Sequence, residues 1–221
     1  MATQDRRPIA ARKLSVFRWM AQRLAGLGVT PNTISVLGMI AGVGAGVALA
    51  LTPHAVEDRL FWAAAAVLVP LRLLANMLDG MVAEFGGKTS RVGAIFNEVP
   101  DRVSDSATLI GLGFAMASSP TMGYIASLLA MMTAYIRTVG KASGSPQDFR
   151  GPMAKQQRMV LVMLVCIFFA LTPHEFRMWS VDVRGTVLTI PTLVLGVISL
   201  GCVVTCVRRL TFVCSYLRNP E

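Results

Sequence analysis

The sequence predicts an all-α integral membrane protein, with six transmembrane helices preceded by an amphipathic interfacial helix. Three observations predict it. Hydrophobic residues make up 54% of the 221-residue chain and charged ones only 15%, where an ordinary soluble domain carries roughly 25% charged. Mean hydropathy is +0.59. Apolar runs recur at lengths near the about 20 residues that cross a hydrocarbon core. The net charge of +9 comes from Lys and Arg that fall mostly between those runs. Disorder is excluded, because it needs low hydrophobicity with high charge. A nucleic-acid binder is excluded too, because the cations mark one side of a helix bundle rather than a continuous basic face.

Residues 1–32 read as a cytoplasmic N-terminal segment. No apolar run follows its basic start within 30 residues, so it is not a secretory signal peptide. Within 10–28, Leu14, Phe17, Met20 and Leu24 recur at near-helical spacing among Arg12, Lys13, Arg18 and Arg23. That predicts a helix lying on an anionic membrane surface. A disordered basic tail is the alternative. Six spans follow, roughly 33–52, 60–84, 91–118, 121–141, 156–172 and 186–210. They form one domain over 33–212, and 213–221 is a cytoplasmic tail. Gly38, Gly42 and Gly46 make a double G-x-x-x-G in the first span, a pattern of close helix packing. LTPH at 51–54 returns at 171–174. Proline after an apolar run stops a helix, so the echo marks two similar helix ends, not a repeat. Cys166, Cys202, Cys206 and Cys214 lack metal-binding company and read as small packing residues without disulfides.

Topology follows from the cations. Sixteen of the 21 fall on one side. They lie before the first span, in the turn with Lys88 and Arg91, in the loop after the fourth span, and at the C-terminal end. The other side holds Arg59, Arg177 and Arg184, while Arg72 and Arg102 lie within spans. The positive-inside rule places both termini in the cytoplasm. The compact chain suits a bacterial cytoplasmic membrane.

Acidic residues are the minority charge, yet Asp79, Glu84, Glu98, Asp101 and Asp105 all fall in the second and third spans. Each costs roughly 2.5–3.5 kcal/mol at mid-membrane. Asn76, Asp79, Gly80 and Ala83 share one helical face, and so do Gly93, Asn97, Asp101 and Asp105. Two antiparallel helices joined by a short loop bring those faces together. Oxygen donors without His or Cys suit a hard cation such as Mg²⁺, Mn²⁺ or Ca²⁺. The second span would run about 37 Å against a ~30 Å core, so its acidic end reaches the cytoplasmic boundary. Gly80, Ala83 and Gly93 leave room for a flat or bulky group beside the ligands. A polar interhelical network or ion path without chemistry fits the same pattern.

The segment NMLDGMVAEFGGKTSRVGAIFNEVPD, residues 76–101, resembles the CDP-alcohol phosphotransferase signature D-x-x-D-G-x-x-A-R-(x)8-G-x-x-x-D-x-x-x-D. Its spacing is kept throughout. The DRVSD run at 101–105, the TPNTIS run at 30–35, the amphipathic helix and the span count are also similar to this family. The departures are Asn76 and Asn97 at the first and third aspartates, and Glu84 at the arginine. With Asp79 and Asp101, Glu84 restores the signature's net charge of −3.

The resemblance implies a metal-dependent phosphatidyltransferase and, as is common in the family, a homodimer. A CDP-diacylglycerol-type lipid would donate a phosphatidyl group to a small polar acceptor, and CMP would leave. Asn76, Asp79, Asn97, Asp101 and Glu84 are the implied ligands of Mg²⁺ or Mn²⁺. Gly80, Ala83 and Gly93 would border the nucleotide, and Asp101 would be the catalytic base. The loop after the fourth span supplies Arg137, Arg150, Lys155 and Arg158. In the family this region receives the phosphate of a phosphorylated acceptor, although a plain positive-inside loop accounts for such cations equally well. A catalytically weak relative serving as a membrane scaffold or lipid-binding partner is the alternative function.

Overall fold

The computed structural model describes residues 14–86, 91–177, 179–183 and 186–218. Arg6, Arg7, Arg12, Lys13, Lys88 and Arg184, on which part of the topology reading rests, lie outside the described residues. In chain order the elements are α1 (Ser15–Gly26), α2 (Pro31–Leu51), α3 (Asp58–Phe85), α4 (Arg91–Phe114), α5 (Pro120–Ala142), α6 (Lys155–Leu171) and α7 (His174–Arg177). A hairpin, β1 (Ser180–Val183) and β2 (Thr186–Thr189), leads into α8 (Ile190–Arg218).

Helix ends follow local chemistry. Thr30 Oγ1 accepts the Thr33 amide at 3.2 Å, and Pro31 opens α2, where its missing N–H costs nothing. Ser119 and Pro120 repeat the device at α5. The third span stops at Phe114 rather than 118, because Ala117 turns to φ 55°.

Two expectations need correction. The sequence predicts the sixth span to be helical from 186, yet 186–189 is a strand and the helix starts at Ile190. Thr186, Val187 and Thr189 pair antiparallel with β1 in the register Ser180↔Thr189. β-branched side chains favour that pleated pairing, and Pro191 suits the first turn of a helix. The last helix also continues to Arg218, past the expected 210.

Among the described residues, four helical segments are long and apolar enough to cross a membrane: Pro31–His54, Asp58–Phe85, Pro120–Ala142 and Ile190–Arg218. Leu37, Ile40, Leu128, Leu200 and Val207 on these helices are exposed. Apolar surface on that scale belongs against lipid. The protein is therefore an all-α membrane protein with a short hairpin. α4 falls outside this group because it carries the acidic cluster, and α6 because its 17 residues reach only about 26 Å.

The bundle is organised around α2, which packs along both α3 and α4, while α3 and α4 touch each other little. The glycine pattern allows this. A Cβ at Gly38 would meet Ala75 of α3, and one at Gly42 would meet Ser104 of α4. One at Gly46 would strike the Ala107 backbone, and Gly111 faces Gly46 in return. The main core holds Trp62 stacked on Phe169 at 4.4 Å between centroids, with Leu109, Leu195 and Ile198. A second cluster seats Phe17, Met20 and Leu24 of α1 on Met77, Leu78, Met81 and Val82 of α3. Leu14, Val16 and Trp19 remain exposed, as an interfacial helix requires. α1 thus lies against the half of α3 that carries the acidic motif.

Candidate active site

Four helices deliver the site. Ser35, at the start of α2, donates from Oγ to Asp79 Oδ2 at 2.7 Å and to the Pro31 carbonyl at 3.2 Å. The TPNTIS run therefore serves to place a hydroxyl against the central motif aspartate. On α3, Arg72, Asn76 and Asp79 follow at i, i+4 and i+7, one face of a helix. On α4, Asn97, Asp101, Ser104 and Asp105 do the same. Pro100 sits inside α4 and removes one backbone donor there. Ser104 Oγ returns a bond of 2.8 Å to the Pro100 carbonyl.

The two aspartates stand in different surroundings. Asp79 is 2% exposed, and its Oδ1 faces Asn97 Nδ2 at 3.5 Å. Asp101 is surrounded by donors. Arg72 donates to its Oδ1, and Asn76 Nδ2 donates to the same oxygen at 2.9 Å. Lys155 Nζ lies 2.7 Å from Oδ2, and an Arg102 nitrogen lies 3.9 Å from it. Arg72 is itself 3% exposed and also donates to Ser104 Oγ. The α3 and α4 faces do meet as expected, but through these side chains, with α2 wedged between the helix bodies.

Behind this pair lies a basic compartment. Arg158, 1% exposed, reaches Asp105 Oδ2 at 3.3 Å, the Met153 carbonyl at 2.8 Å and Thr133 Oγ1 at 3.4 Å. The other Asp105 oxygen is buried without a partner. Arg209 of α8 donates to the Thr133 carbonyl at 2.6 Å and to the Arg150 carbonyl at 3.0 Å. Arg158 and Arg209 thus meet at Thr133, one on its hydroxyl and the other on its carbonyl. Arg137 pairs with Glu98, which also holds Arg102 at 3.2 Å. Arg150 is exposed, bonded to Asp148 at 2.9 Å and stacked over Phe212 at 3.7 Å.

The loop carrying Arg150 is shaped, not merely charged. Gly151 takes φ 122°, where a side chain would be strained, and lies against Thr205 of α8. Thr205 Oγ1 accepts the Met153 amide at 3.1 Å.

Of the residues expected from sequence, Asn76, Asp79, Asn97, Asp101 and Lys155 come together. Arg158 lies one layer deeper, Arg137 is half-buried against Glu98, and Arg150 is exposed. Gly80, Ala83 and Gly93 are half-buried beside the carboxylates, and Glu84 is exposed on the last turn of α3. Sequence reading missed Arg72, Ser35 and Arg209 as site residues. The signal for Arg72 was present, because a lone arginine in an apolar span needs a partner, and it precedes Asn76 by one helical turn.

Among the described residues no three His, Cys, Asp or Glu side chains gather into a metal cage. The donors that remain are two carboxylates and two amides. They are all oxygen-bearing and compatible with a hard cation once the amides turn their oxygens inward. The residues fit a divalent cation, with fewer charges than the full signature supplies.

A buried carboxylate pair in a membrane helix bundle, with guanidiniums beside it, is chemistry suited to holding phosphate groups at a membrane. The sequence model of the CDP-alcohol phosphatidyltransferase family matches residues 28–198. The chain belongs to that family and is a membrane-bound CDP-alcohol phosphotransferase.

Phosphatidylinositol phosphate synthase of Mycobacteroides abscessus is 33% identical over 178 residues, covering 76% of this chain and 77% of the relative. That of Mycobacterium tuberculosis is 30% identical, covering 86% and 82%. The Mycobacterium tuberculosis synthase solved with CDP-DAG bound superposes with a TM-score of 0.70 at 25% identity, covering 90% of this chain and 94% of that one. The same synthase solved with manganese and citrate gives 0.69 at 26% identity, covering 90% and 89%.

Proposed function

We propose that the protein transfers a phosphatidyl group from a CDP-diacylglycerol-type lipid to a hydroxyl of a small, phosphorylated polar acceptor, releasing CMP. The observation that carries this reading is Asp101, a buried carboxylate fixed between Arg72, Asn76 and Lys155 and backed by three arginines. The acceptor oxygen attacks the lipid-linked phosphorus, and the bond from that phosphorus to the CMP oxygen breaks. Asp101 takes the hydroxyl proton. Arg72 and Lys155 orient it, and α2 holds Asp79 through Ser35.

Asn76, Asp79, Asn97 and Asp101 are the proposed donors to a divalent cation, Mg²⁺ or Mn²⁺. When bound, it would offset charge on the diphosphate. Glu84, exposed at the end of α3, adds negative charge at the mouth. Gly80, Ala83 and Gly93 border the nucleotide.

Arg137, Arg158 and Arg209 receive the acceptor phosphate. Arg158 and Arg209 meet at Thr133, one on its hydroxyl and the other on its carbonyl, and a phosphate would add charge-assisted hydrogen bonds to that pair. Lys155 and Arg150 stand at the approach. The relatives that make phosphatidylinositol phosphate support an inositol phosphate as acceptor.

The same reading has α4 and α6 completing six spans, both termini in the cytoplasm of a bacterial inner membrane, and two copies of the chain forming a dimer. Residues 1–32 and 213–221 flank the catalytic domain.

CMP release from CDP-diacylglycerol across a panel of acceptors tests the proposal. Turnover with inositol phosphate or glycerol 3-phosphate, but not with serine or free inositol, is expected. Turnover with neutral alcohols would remove the acceptor assignment. No release with any acceptor or metal would leave the scaffold reading that Asn76 and Asn97 favour.

A further inference from the structure

We infer that the two carboxylates divide the work: Asp79 holds a single divalent cation, and Arg72 with Lys155 does at Asp101 what a second cation would do. This rests on the transferase reading above and narrows its four donors to Asn76, Asp79 and Asn97 around one ion, leaving Asp101 to act as the base without touching it.

The partners of each oxygen decide the division. Both oxygens of Asp101 are already committed to positive groups, Oδ1 to Arg72 and Oδ2 to Lys155. Arg72 cannot swing aside cheaply. Its side chain is 3% exposed, and Ser104 holds its Nε. A cation approaching Asp101 would have to displace a buried guanidinium and leave that charge unpaired. Asp79 has neutral hydrogen-bonding partners instead, the Ser35 hydroxyl and the distant Asn97 amide. Rotating the terminal torsion of Asn97 exchanges its nitrogen for a ligating oxygen without moving the backbone.

The charge balance points the same way. Asp79, Asp101, Arg72 and Lys155 sum to zero, and Arg102, 3.9 Å from Asp101, is matched by Glu98. One dication then matches the two negative charges of a diphosphate, whereas two would leave an excess of positive charge in a buried site. The two asparagines are therefore not decay. Together with Arg72 they form a consistent set in which fixed cations replace a bound one.

Mn²⁺ titration of the detergent-solubilised full chain, read by the EPR signal of free Mn²⁺, tests this without reference to turnover. One Mn²⁺ per chain is expected. Asp79→Asn should weaken it ~10–100-fold. Asp101→Asn should leave stoichiometry and affinity as they were. Because that variant strands Arg72, the charge-matched pair Arg72→Gln with Asp101→Asn is measured beside it and should also keep the ion. Two ions or none on the wild-type chain would overturn the inference, as would loss of the ion in the charge-matched pair. Retained Mn²⁺ without CMP release from any acceptor would sink the transferase reading and leave the one-ion site standing.

Discussion

Gly44 and Gly46 lie two residues apart on the same helix, and replacing each by Ala should move stability in opposite directions. In both cases a helical Gly→Ala change gains roughly 0.5–1 kcal/mol from the unfolded chain's lost freedom. At Gly44 the new Cβ would meet Leu68 Cδ1 at 3.5 Å, an ordinary contact, so the gain is kept. At Gly46 it would strike the carbonyl and the carbonyl carbon of Ala107. Those are backbone atoms of α4, and Gly111 of α4 faces Gly46 backbone in turn, so neither helix yields. Overpacking of this kind costs typically 1–3 kcal/mol, leaving a net loss of about 1–2 kcal/mol. For a chain of this size each kcal/mol shifts Tm by roughly 2–4 °C. Gly44→Ala should therefore melt about 2 °C higher and Gly46→Ala about 2–8 °C lower. A thiol-reactive dye follows the transition, because Cys166 and Cys202 are free and buried while Cys214 gives a constant baseline. The Gly46 variant should also lose CMP release, since α4 carries Asp101 less than two turns from the contact. Equal shifts of the two variants would refute the claim that α2 is the wedge setting the α3–α4 geometry.

Asp101→Asn should lower CMP release by ~10²–10⁴-fold, the share a positioned base contributes; activity retained within a factor of two would remove it from that role. Ser35→Ala deletes the 2.7 Å bond to Asp79 and should weaken Mn²⁺ binding ~10–100-fold, read by the same EPR titration, with little change in Tm. At the opposite end of α3, Asp58 Oδ2 accepts from Arg177 at 2.6 Å and both are buried. Asp58→Asn leaves that guanidinium unpaired and should destabilise by ~3–5 kcal/mol. It lies about 31 Å along the helix from Asp79, so CMP release at low temperature should stay at the wild-type level.

How legible the protein was depends on the range of the interaction concerned. The apolar runs, the amphipathic α1 and the G-x-x-x-G packing of α2 were readable, because each is a periodicity along a single helix. The paired faces of α3 and α4 were readable for the same reason. The β1–β2 hairpin was not, since a stretch as short as TVLT at 186–189 has no period that tells a strand from a helix, and pairing with 180–183 decided it. Arg209 and Ser35 were missed because their partners lie far along the chain, at Thr133, Arg150 and Asp79.

The sequence by itself determined the membrane class, the family and the place of the acidic motif, because spacing along a helix is a local property that hydropathy and a gapped signature both record. Only the tertiary structure decided what the two surviving aspartates face. Asp79 meets neutral donors and Asp101 meets cations, and that difference arises where α2, α3, α4 and α6 converge. Buried charge must be satisfied by whatever the neighbouring helices bring, and no single helix records what its neighbours bring.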